Sequence, residues 1–376
     1  MSKLFFKGIV ATFIGAIMTI SAHNAFANDT IKIGVPGAHS GELASYGLPT
    51  LNAVNLVVDD INAKGGIDGK QVEVIAFDEG CKAEIATNAA TKLISDGVVG
   101  IIGHTCSNAG KAVISLYNDA NTIVVSPTIT APEMTLSGKY PVFFRTVAND
   151  LETSIAGAKF VLDKLQAKRI AILHDNSEYG KGYAVKAIEY FKENGKDVEV
   201  VLFEAITPGA ADYSSVIRKV IRADADVLMW GGYYPEASKL LSNMYSLELA
   251  IPFVGPDGLK DKGFIELAGA DAEGVYASGP TDTSANPISK EYAEKHLKKY
   301  GTTPGAFFDN AISATIALLN AIDKADSTDP KKIMEALRSN DVETAVGTIR
   351  FDEKGDAIGV GMSIYQITNG EYVEMK

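Results

Sequence analysis

The chain has 376 residues, of which 46% are hydrophobic, and its 47 acidic residues outnumber 35 lysines and arginines to give a formal charge of −12. This negative balance argues against nucleic acid and anionic membrane surfaces as partners, because both repel an acidic protein. The length suits two α/β lobes better than one hydrophobic core, and the apolar fraction is large enough to fill a core in each lobe.

The first 27 residues have the features of a secretory signal peptide. Lys3 and Lys7 form a short basic region, residues 8–20 are apolar and uncharged, and Ala25-Phe26-Ala27 has the form of a cleavage site. The apolar stretch is too short to span a bilayer. We therefore expect cleavage after Ala27 and a periplasmic protein that is not embedded in the membrane.

Short β-branched runs then alternate with helix-length segments. In chain order, the pattern predicts strands at 31–35, 71–77, 99–102 and 122–125, helices at 48–63 and 84–95, and a bridging strand at 142–146. Buried parallel strands are typically short apolar runs that end in turns rich in Gly, Ser and Pro. This part of the chain therefore predicts one lobe with a parallel sheet.

The same plan starts again beyond residue 146. The pattern predicts a helix at 151–165, strands at 169–174, 198–203, 225–230 and 252–254 with helices between them, later helices at 290–300 and 305–325, and strand-like segments at 346–351 and 361–367. We therefore predict an α/β protein with two Rossmann-like lobes, each built on a parallel central sheet.

Hydroxyl, aromatic and acidic side chains follow the predicted strand ends in both lobes. Because ligands bind beyond the carboxyl ends of parallel strands, two facing lobes would gather these groups in one cleft. Ser107, Thr128 and Thr130 lie on two such loops of the first lobe. Ser107 and Thr130, together with backbone N–H groups, would hold a carboxylate, and Asp257 would meet an ammonium. The apolar walls would come from Tyr46, Tyr179, Tyr233 and Phe307.

This combination predicts a zwitterion with a nonpolar side chain, meaning an amino acid. Each residue taken alone has an ordinary alternative. Ser107 is also a common kind of residue at a helix start, and Asp257 lies between Pro256 and Gly258 as a turn acid would.

Two cysteines, Cys81 and Cys106, lie just beyond predicted strand ends. In an exported protein we interpret them as one disulfide that ties neighbouring loops of the first lobe. Metal ligation is the alternative, but two distant sulfurs without clustered histidines make a poor zinc site. Because Cys106 adjoins Ser107, the disulfide would also hold the binding loop.

An enzyme is the main alternative class. His104 and Ser107 suggest part of a hydrolase triad, but the Gly-x-Ser-x-Gly motif is missing and no orienting acid is evident. Neither a Walker A sequence nor a Gly-x-Gly-x-x-Gly phosphate loop occurs. We therefore predict a binding protein without catalytic activity, cofactor or metal. A soluble ligand sensor of the same fold is a third class.

The chain resembles the branched-chain amino acid-binding proteins of ABC importers, the periplasmic leucine/isoleucine/valine-binding type. The resemblance covers the whole chain after the signal peptide. It is carried by Gly37-Ala38-His39-Ser40-Gly41, Tyr46-Gly47, Asp60 to Ile67, Ile102-Gly103-His104 with Cys106-Ser107, Ser126-Pro127 with Thr130 to Glu133, Tyr179-Gly180 with Gly182, Gly231-Gly232-Tyr233 with Pro235-Glu236, and Phe351 to Asp356.

This resemblance implies two lobes that are joined by three crossovers and close about a hinge. We assign residues 28–148 and 281–352 to lobe 1, and residues 149–280 and 353–376 to lobe 2. Ser107 and Thr130 match the residues that hold the α-carboxylate and α-ammonium, and the backbone at Thr128 falls in the ligand-holding segment. Tyr46, Tyr179 and Tyr233 match aromatic pocket positions, and Cys81–Cys106 matches the family disulfide.

The implied ligand is leucine, isoleucine or valine, and the implied partner is a membrane permease that the protein meets as a monomer. Two positions depart from the family pattern. Asp257 stands where branched-chain members tend to have Glu, and Thr128 stands where they tend to have a smaller residue. Both changes alter the pocket, so another small amino acid or an amide is the alternative ligand.

Overall fold

The computed structural model describes residues 30–375, so the predicted signal peptide at 1–27 lies outside the described residues. The first sheet has five parallel strands in the order β2-β1-β3-β4-β5. Its elements are β1 Ile31–Gly37, α1 Ala44–Ala63, β2 Val72–Asp78, α2 Ala83–Ser95, β3 Gly100–Ile102, α3 Ser107–Asp119, β4 Ile123–Ser126, α4 Glu133–Leu136 and β5 Phe143–Arg145.

The second sheet begins with the same plan. Its first elements are α5 Asp150–Asp163, β6 Arg169–His174, α6 Glu178–Asn194, β7 Glu199–Ala205, α7 Ser214–Arg222, β8 Val227–Gly231, α8 Tyr234–Ser246, β9 Phe253–Gly255, α9 Lys262–Ala268 and β10 Tyr276–Pro280. Strands β7-β6-β8-β9-β10 are parallel and repeat the strand order of the first sheet.

The last part of the chain adds helices and a separate three-stranded sheet, β11-β12-β13, and it extends the second sheet. It contains α10 Pro287–Tyr300, α11 Phe308–Ala325, α12 Pro330–Ser339, β11 Val342–Thr344, β12 Gly347–Phe351, β13 Ala357–Ile358, β14 Met362–Thr368 and β15 Glu371–Glu374. Helices α11 and α12 share a hydrophobic core with β1 and β4, through residues such as Ile33, Ile123 and Leu318. Strands β14 and β15 instead extend the second sheet in antiparallel fashion.

The predicted α/β class with two lobes of largely parallel sheet is therefore confirmed. Three connections link the elements of one sheet to those of the other, at 146–149, 281–286 and 359–361. The residue boundaries assigned to the lobes from the sequence stay a prediction. No helix in the described range 30–375 is long and apolar enough to cross a membrane.

Local chemistry explains where several helices begin. Side-chain oxygens of Asn149, Ser177 and Asp329 accept hydrogen bonds from the first backbone N–H groups of α5, α6 and α12, as helix N-caps do. The helix predicted at 305–325 starts only at Phe308, because Phe307 has a φ of 60°, in the left-handed region. Strand β10, which the sequence pattern missed, contains Gly and Pro and is held by β9 and β14 on either side.

The strand order determines where a ligand can enter. In each sheet the chain first adds a strand on one side of the starting strand and then adds the next strand on the other side. This change of direction falls between β1 and β3 in the first lobe and between β6 and β8 in the second. Open sheets of this type bind ligands beyond the carboxyl ends of the strands at such switch points. The loops after these four strands therefore frame the candidate site.

Candidate ligand-binding site

Side chains from both lobes surround a small cavity between the lobes. Every predicted site residue except Thr130 lines it, and Thr105 and Gly258 are additions that the sequence reasoning missed. The lining residues are Tyr46, Thr105, Ser107, Thr128, Tyr179, Tyr233, Asp257, Gly258 and Phe307.

The hydroxyl groups of the first lobe lie at the start of α3. Ser107 is the first residue of this helix and is 2% exposed, and its Oγ accepts a hydrogen bond from the backbone N–H of Ala131 at 3.4 Å. Thr105 lies on the same loop, where its Oγ1 accepts from the backbone N–H of Ala38 at 3.1 Å. A helix N-terminus has unpaired N–H groups and a partial positive charge, so this end of the cavity favours an anion.

The structure places Thr128 and Thr130 differently from each other. The Thr128 hydroxyl donates to the carbonyl oxygens of Thr105 at 2.8 Å and His104 at 3.0 Å, so it ties two loops together. Thr130 is buried and does not line the cavity, and its Oγ1 has no hydrogen bond of normal geometry within the described residues. Its carbonyl oxygen accepts from the backbone N–H of Asp150 at 2.8 Å.

On the second lobe, Asp257 and Tyr179 form a buried pair. The Tyr179 hydroxyl donates to Asp257 Oδ1 at 2.6 Å and accepts from the backbone N–H of Gly258 at 2.8 Å. Asp257 Oδ2 is buried and has no hydrogen-bond partner in residues 30–375. Burial raises the pKa of Asp257 to about 6. A carboxylate with one free oxygen in a low-dielectric wall favours a cation.

A second buried acid, Asp150, lies close to this pair. It is 0% exposed, and neither carboxylate oxygen has a hydrogen bond of normal geometry among the described residues, although the Thr130 hydroxyl is near enough to interact. Burial, and then the charge of Asp257, raise the pKa of Asp150 well above its ordinary value. Sequence reasoning missed this residue, because an acid in the first turn after the Asn149 cap is ordinary helix chemistry.

Aromatic rings form a row that leads away from Asp257. The ring centroids of Tyr179 and Tyr233 are 5.1 Å apart, those of Tyr233 and Tyr46 are 6.0 Å apart, and those of Tyr46 and Phe307 are 6.3 Å apart. Burial raises the pKa of all three tyrosines well above its ordinary value, so their hydroxyls stay neutral. The row therefore forms an apolar wall against which an aliphatic side chain can pack.

Contacts across the cleft hold the lobes in a closed conformation. The Tyr46 hydroxyl donates to the carbonyl oxygen of Gly258, and the Tyr234 hydroxyl donates to that of Glu42 at 2.7 Å. Lys111 on α3 forms ion pairs with Glu133 of its own lobe at 2.8 Å and with Glu178 of the other lobe at 2.7 Å. Several contacts thus join residues that an open cleft would separate.

Beside the cleft, Cys81 and Cys106 form the predicted disulfide, with Cα atoms 5.4 Å apart. The disulfide interpretation is confirmed and metal ligation by these sulfurs is wrong.

The ring of His104 contacts the Glu79 carboxylate through Nδ1 and the Tyr117 hydroxyl through Nε2 at 3.0 Å. Since both ring nitrogens are engaged inside the lobe, His104 does not activate Ser107 in this structure.

Comparison with known proteins points to one family. The profile described as periplasmic binding protein matches residues 30–371. A leucine-, isoleucine-, valine-, threonine- and alanine-binding protein from Pseudomonas aeruginosa is 32% identical over 97% of this chain and 95% of its own length.

Solved structures agree with this assignment. The leucine-binding protein LivK from Thermotoga maritima has a TM-score of 0.84 at 26% identity, over 92% of this chain and 98% of its own. The substrate-binding protein LivJ from Streptococcus pneumoniae, in complex with isoleucine, has a TM-score of 0.81 at 27% identity, over 92% of this chain and 100% of its own. The resemblance seen in the sequence motifs is thereby confirmed, and the chain belongs to the periplasmic binding protein family.

Proposed function

We propose that this protein is the periplasmic substrate-binding component of an ABC importer and that it binds a small aliphatic amino acid between its lobes. Leucine, isoleucine and valine are the preferred ligands. The relative from Pseudomonas aeruginosa is named for these three amino acids together with threonine and alanine, and the LivJ structure contains isoleucine. The protein delivers its ligand to a membrane permease and acts as a monomer.

One observation carries the proposal. A single cavity is lined by Ser107, at the N-terminus of α3 in one lobe, and by Asp257, with an unpaired buried oxygen, in the other. The first suits the carboxylate of an amino acid and the second suits its ammonium. Thr130, whose buried hydroxyl forms no hydrogen bond of normal geometry in the described chain, is the second hydroxyl that we assign to the carboxylate.

The same arrangement supplies a mechanism. A ligand that touches both lobes stabilises only the closed form, and shifting the closed population from 1:99 to 99:1 takes about 5.5 kcal/mol of differential binding. Hydrogen bonds to charged groups contribute about 1.5–3 kcal/mol each, so a few bonds to the carboxylate and ammonium are sufficient. The closed form would then present faces of both lobes to the permease.

A thermal-shift panel of the twenty amino acids at millimolar concentration tests the proposal. We expect leucine, isoleucine or valine to raise the melting temperature, and Ser107→Ala to remove most of that shift. Ser214→Ala is the matched control, because Ser214 is also the first residue of a helix but lies outside the cavity. A flat response to all twenty amino acids would refute the amino acid assignment.

The panel also decides between neighbouring ligand classes. Asp257 is one methylene shorter than Glu, and Thr128 adds bulk to the wall, so the pocket differs from that of the branched-chain type described above. A larger shift with alanine, threonine or an amide such as glutamine would assign a different small ligand to the same site.

A freestanding sensor of the same fold would bind the same ligands as an importer component. Measuring amino acid uptake in a strain that lacks the gene distinguishes the two, because only loss of an importer component reduces uptake.

A further inference from the structure

A groove runs along one edge of the closed cleft, beside the candidate ligand site. One wall is the loop at Gly41 and Glu42, which belongs to lobe 1, and the other wall is formed by α8 and α9 of lobe 2. Among the described residues, those that line the ligand cavity do not line this groove. Because its walls come from lobes that move apart when the cleft opens, the groove has both walls only in the closed conformation.

Tyr234 connects the groove to the ligand site. It lines the groove, and its ring lies against that of Tyr46, which lines the ligand cavity, with the ring centroids 5.4 Å apart. Its hydroxyl donates to the carbonyl oxygen of Glu42 at 2.7 Å and accepts from the Ser45 hydroxyl at 3.0 Å, so it holds the lobe 1 wall in place. Closure around a ligand therefore assembles the groove at the same time.

Exposed carboxylates lie on both walls of the groove. Glu42 lines one wall and Glu266 the other, and within residues 30–375 neither forms an ion pair. Burial raises the pKa of Tyr234, and the negative charges of Asp261, Glu42 and Glu266 add to this effect, so all three acids lie near its hydroxyl. The potential in this part of the groove is therefore negative.

The nearby lysines are engaged with neutral oxygens. Lys239 lines the groove, and its Nζ donates to the carbonyl oxygen of Ala210 at 3.1 Å. Lys262, the first residue of α9, is not among the lining residues, and its Nζ donates to the Thr303 hydroxyl at 2.6 Å. A cationic side chain of a partner would therefore complement the two glutamates.

An apolar side chain adds a second feature. Leu267 follows Glu266 on α9, lines the groove and is 62% exposed. A partner that covers this leucine removes apolar surface from water, which is favourable. The groove therefore fits a partner segment that carries a basic side chain beside an apolar one.

We propose that the membrane permease docks in this groove through a segment that carries a lysine or arginine beside an apolar side chain. The inference rests on the proposed function, because it takes delivery to a permease as its starting point. It goes further by naming the docking surface. It also gives a reason why the permease distinguishes loaded from empty protein, since a partner that contacts both walls binds the closed form preferentially.

Amino acid uptake by the strain that lacks the gene, complemented with variants, tests the inference. The transported ligand is the amino acid that gives the largest thermal shift, supplied at saturating concentration, and immunoblots confirm equal amounts of each variant in the periplasm. Glu266→Lys and Leu267→Ser should each lower uptake at least fivefold. Their calorimetric dissociation constants for the same amino acid should stay within twofold of the wild type, because both side chains lie outside the ligand cavity.

Matched controls place the same changes elsewhere. Glu193 is an exposed acid on α6 of lobe 2, and Leu297 on α10 is 52% exposed; neither lines the groove. Glu193→Lys and Leu297→Ser should keep wild-type uptake. Lys239→Met should keep it as well, because a basic partner has no need of this ammonium.

The possible outcomes separate this inference from the proposed function. If the wild-type protein binds no amino acid, or loss of the gene leaves uptake unchanged, the proposed function fails and the inference fails with it. If the wild-type protein supports uptake and both Glu266→Lys and Leu267→Ser support it equally well, the inference alone is overturned. Loss of uptake with Lys239→Met but not with Glu266→Lys would indicate an acidic partner and would also overturn it.

Analytical ultracentrifugation with saturating ligand tests the other possible occupant of the groove, a second copy of the chain. The wild-type protein should sediment as a monomer. A dimer that Leu267→Ser dissociates would assign the groove to self-association and overturn the inference.

Discussion

The affinity for an amino acid should fall as the pH is lowered through 6. The reason is the buried carboxyl of Asp257, whose pKa is raised to about 6 and which must be ionised to meet the ligand ammonium. Bound ammonium stabilises the ionised form, so the pKa of Asp257 in the complex falls and binding releases a proton at pH values near 6. The protein should therefore bind its ligand more weakly at acidic pH.

The magnitude follows from the pKa of about 6 that Asp257 has in the free protein. At pH 5 roughly one carboxyl in eleven is ionised, whereas at pH 8 almost all are, so affinity should drop roughly 10-fold, or about 1.4 kcal/mol. Asp150 is coupled to Asp257, and its own pKa is raised by burial and by that charge, so it can steepen the dependence.

Calorimetric titrations with leucine at pH 5, 6, 7 and 8 measure this dependence, and titrations in buffers of different ionisation enthalpy count the released protons. Asp257→Asn should bind more weakly at pH 8 and lose most of the pH dependence. Asp175 also has a pKa raised to about 6, so Asp175→Asn is the control that should retain the dependence. Equal affinity of the wild-type protein at pH 5 and pH 8 would refute the assignment of Asp257 to the ammonium.

Three further perturbations test the closed cleft and its support. Lys111→Met removes the ion pair with Glu178 across the cleft, so the calorimetric affinity for the ligand should fall about 2- to 5-fold at low salt and less at high salt. Lys92→Met is the control and should leave the affinity unchanged, because Lys92 pairs with Asp96 at the end of the same helix. Tyr46→Phe removes the hydrogen bond to Gly258, and about 1 kcal/mol of binding free energy should be lost in the same assay; unchanged affinity would show that this bond persists in the open form. Cys81→Ser opens a disulfide of sequence separation 25, and the free energy of unfolding in urea should drop by roughly 3 kcal/mol; an unchanged midpoint would contradict a stabilising role.

Much of the architecture was predictable because it is locally encoded. Buried parallel strands such as β3 and β4 are short apolar runs that end at Gly or Ser, and a pattern of this kind is visible without any tertiary information. The elements that the pattern missed have weaker local signals. Strand β10 contains Gly and Pro, and pairing with its neighbours on both sides makes it a strand.

The candidate site also contains residues with a local sequence signal and residues without one. Ser107, Tyr179, Tyr233 and Asp257 were predictable because each follows a strand, and strand ends are where ligands bind in open sheets. Asp150 was not, since its burial arises from packing at the junction of the lobes rather than from its neighbours in sequence. The direction of the Thr128 hydroxyl is likewise a tertiary property, because its acceptors lie on another loop.

The alternation of strands and helices, the cysteine pair and the loops that carry the site could be read from the order of residues along the chain, because each of them has a local sequence pattern. Which polar atoms lack partners, which acids are buried close together and which aromatic rings line one cavity could be seen only in the folded structure. Those properties depend on distances between residues far apart in sequence, and such distances exist only once the two lobes have folded and closed on each other.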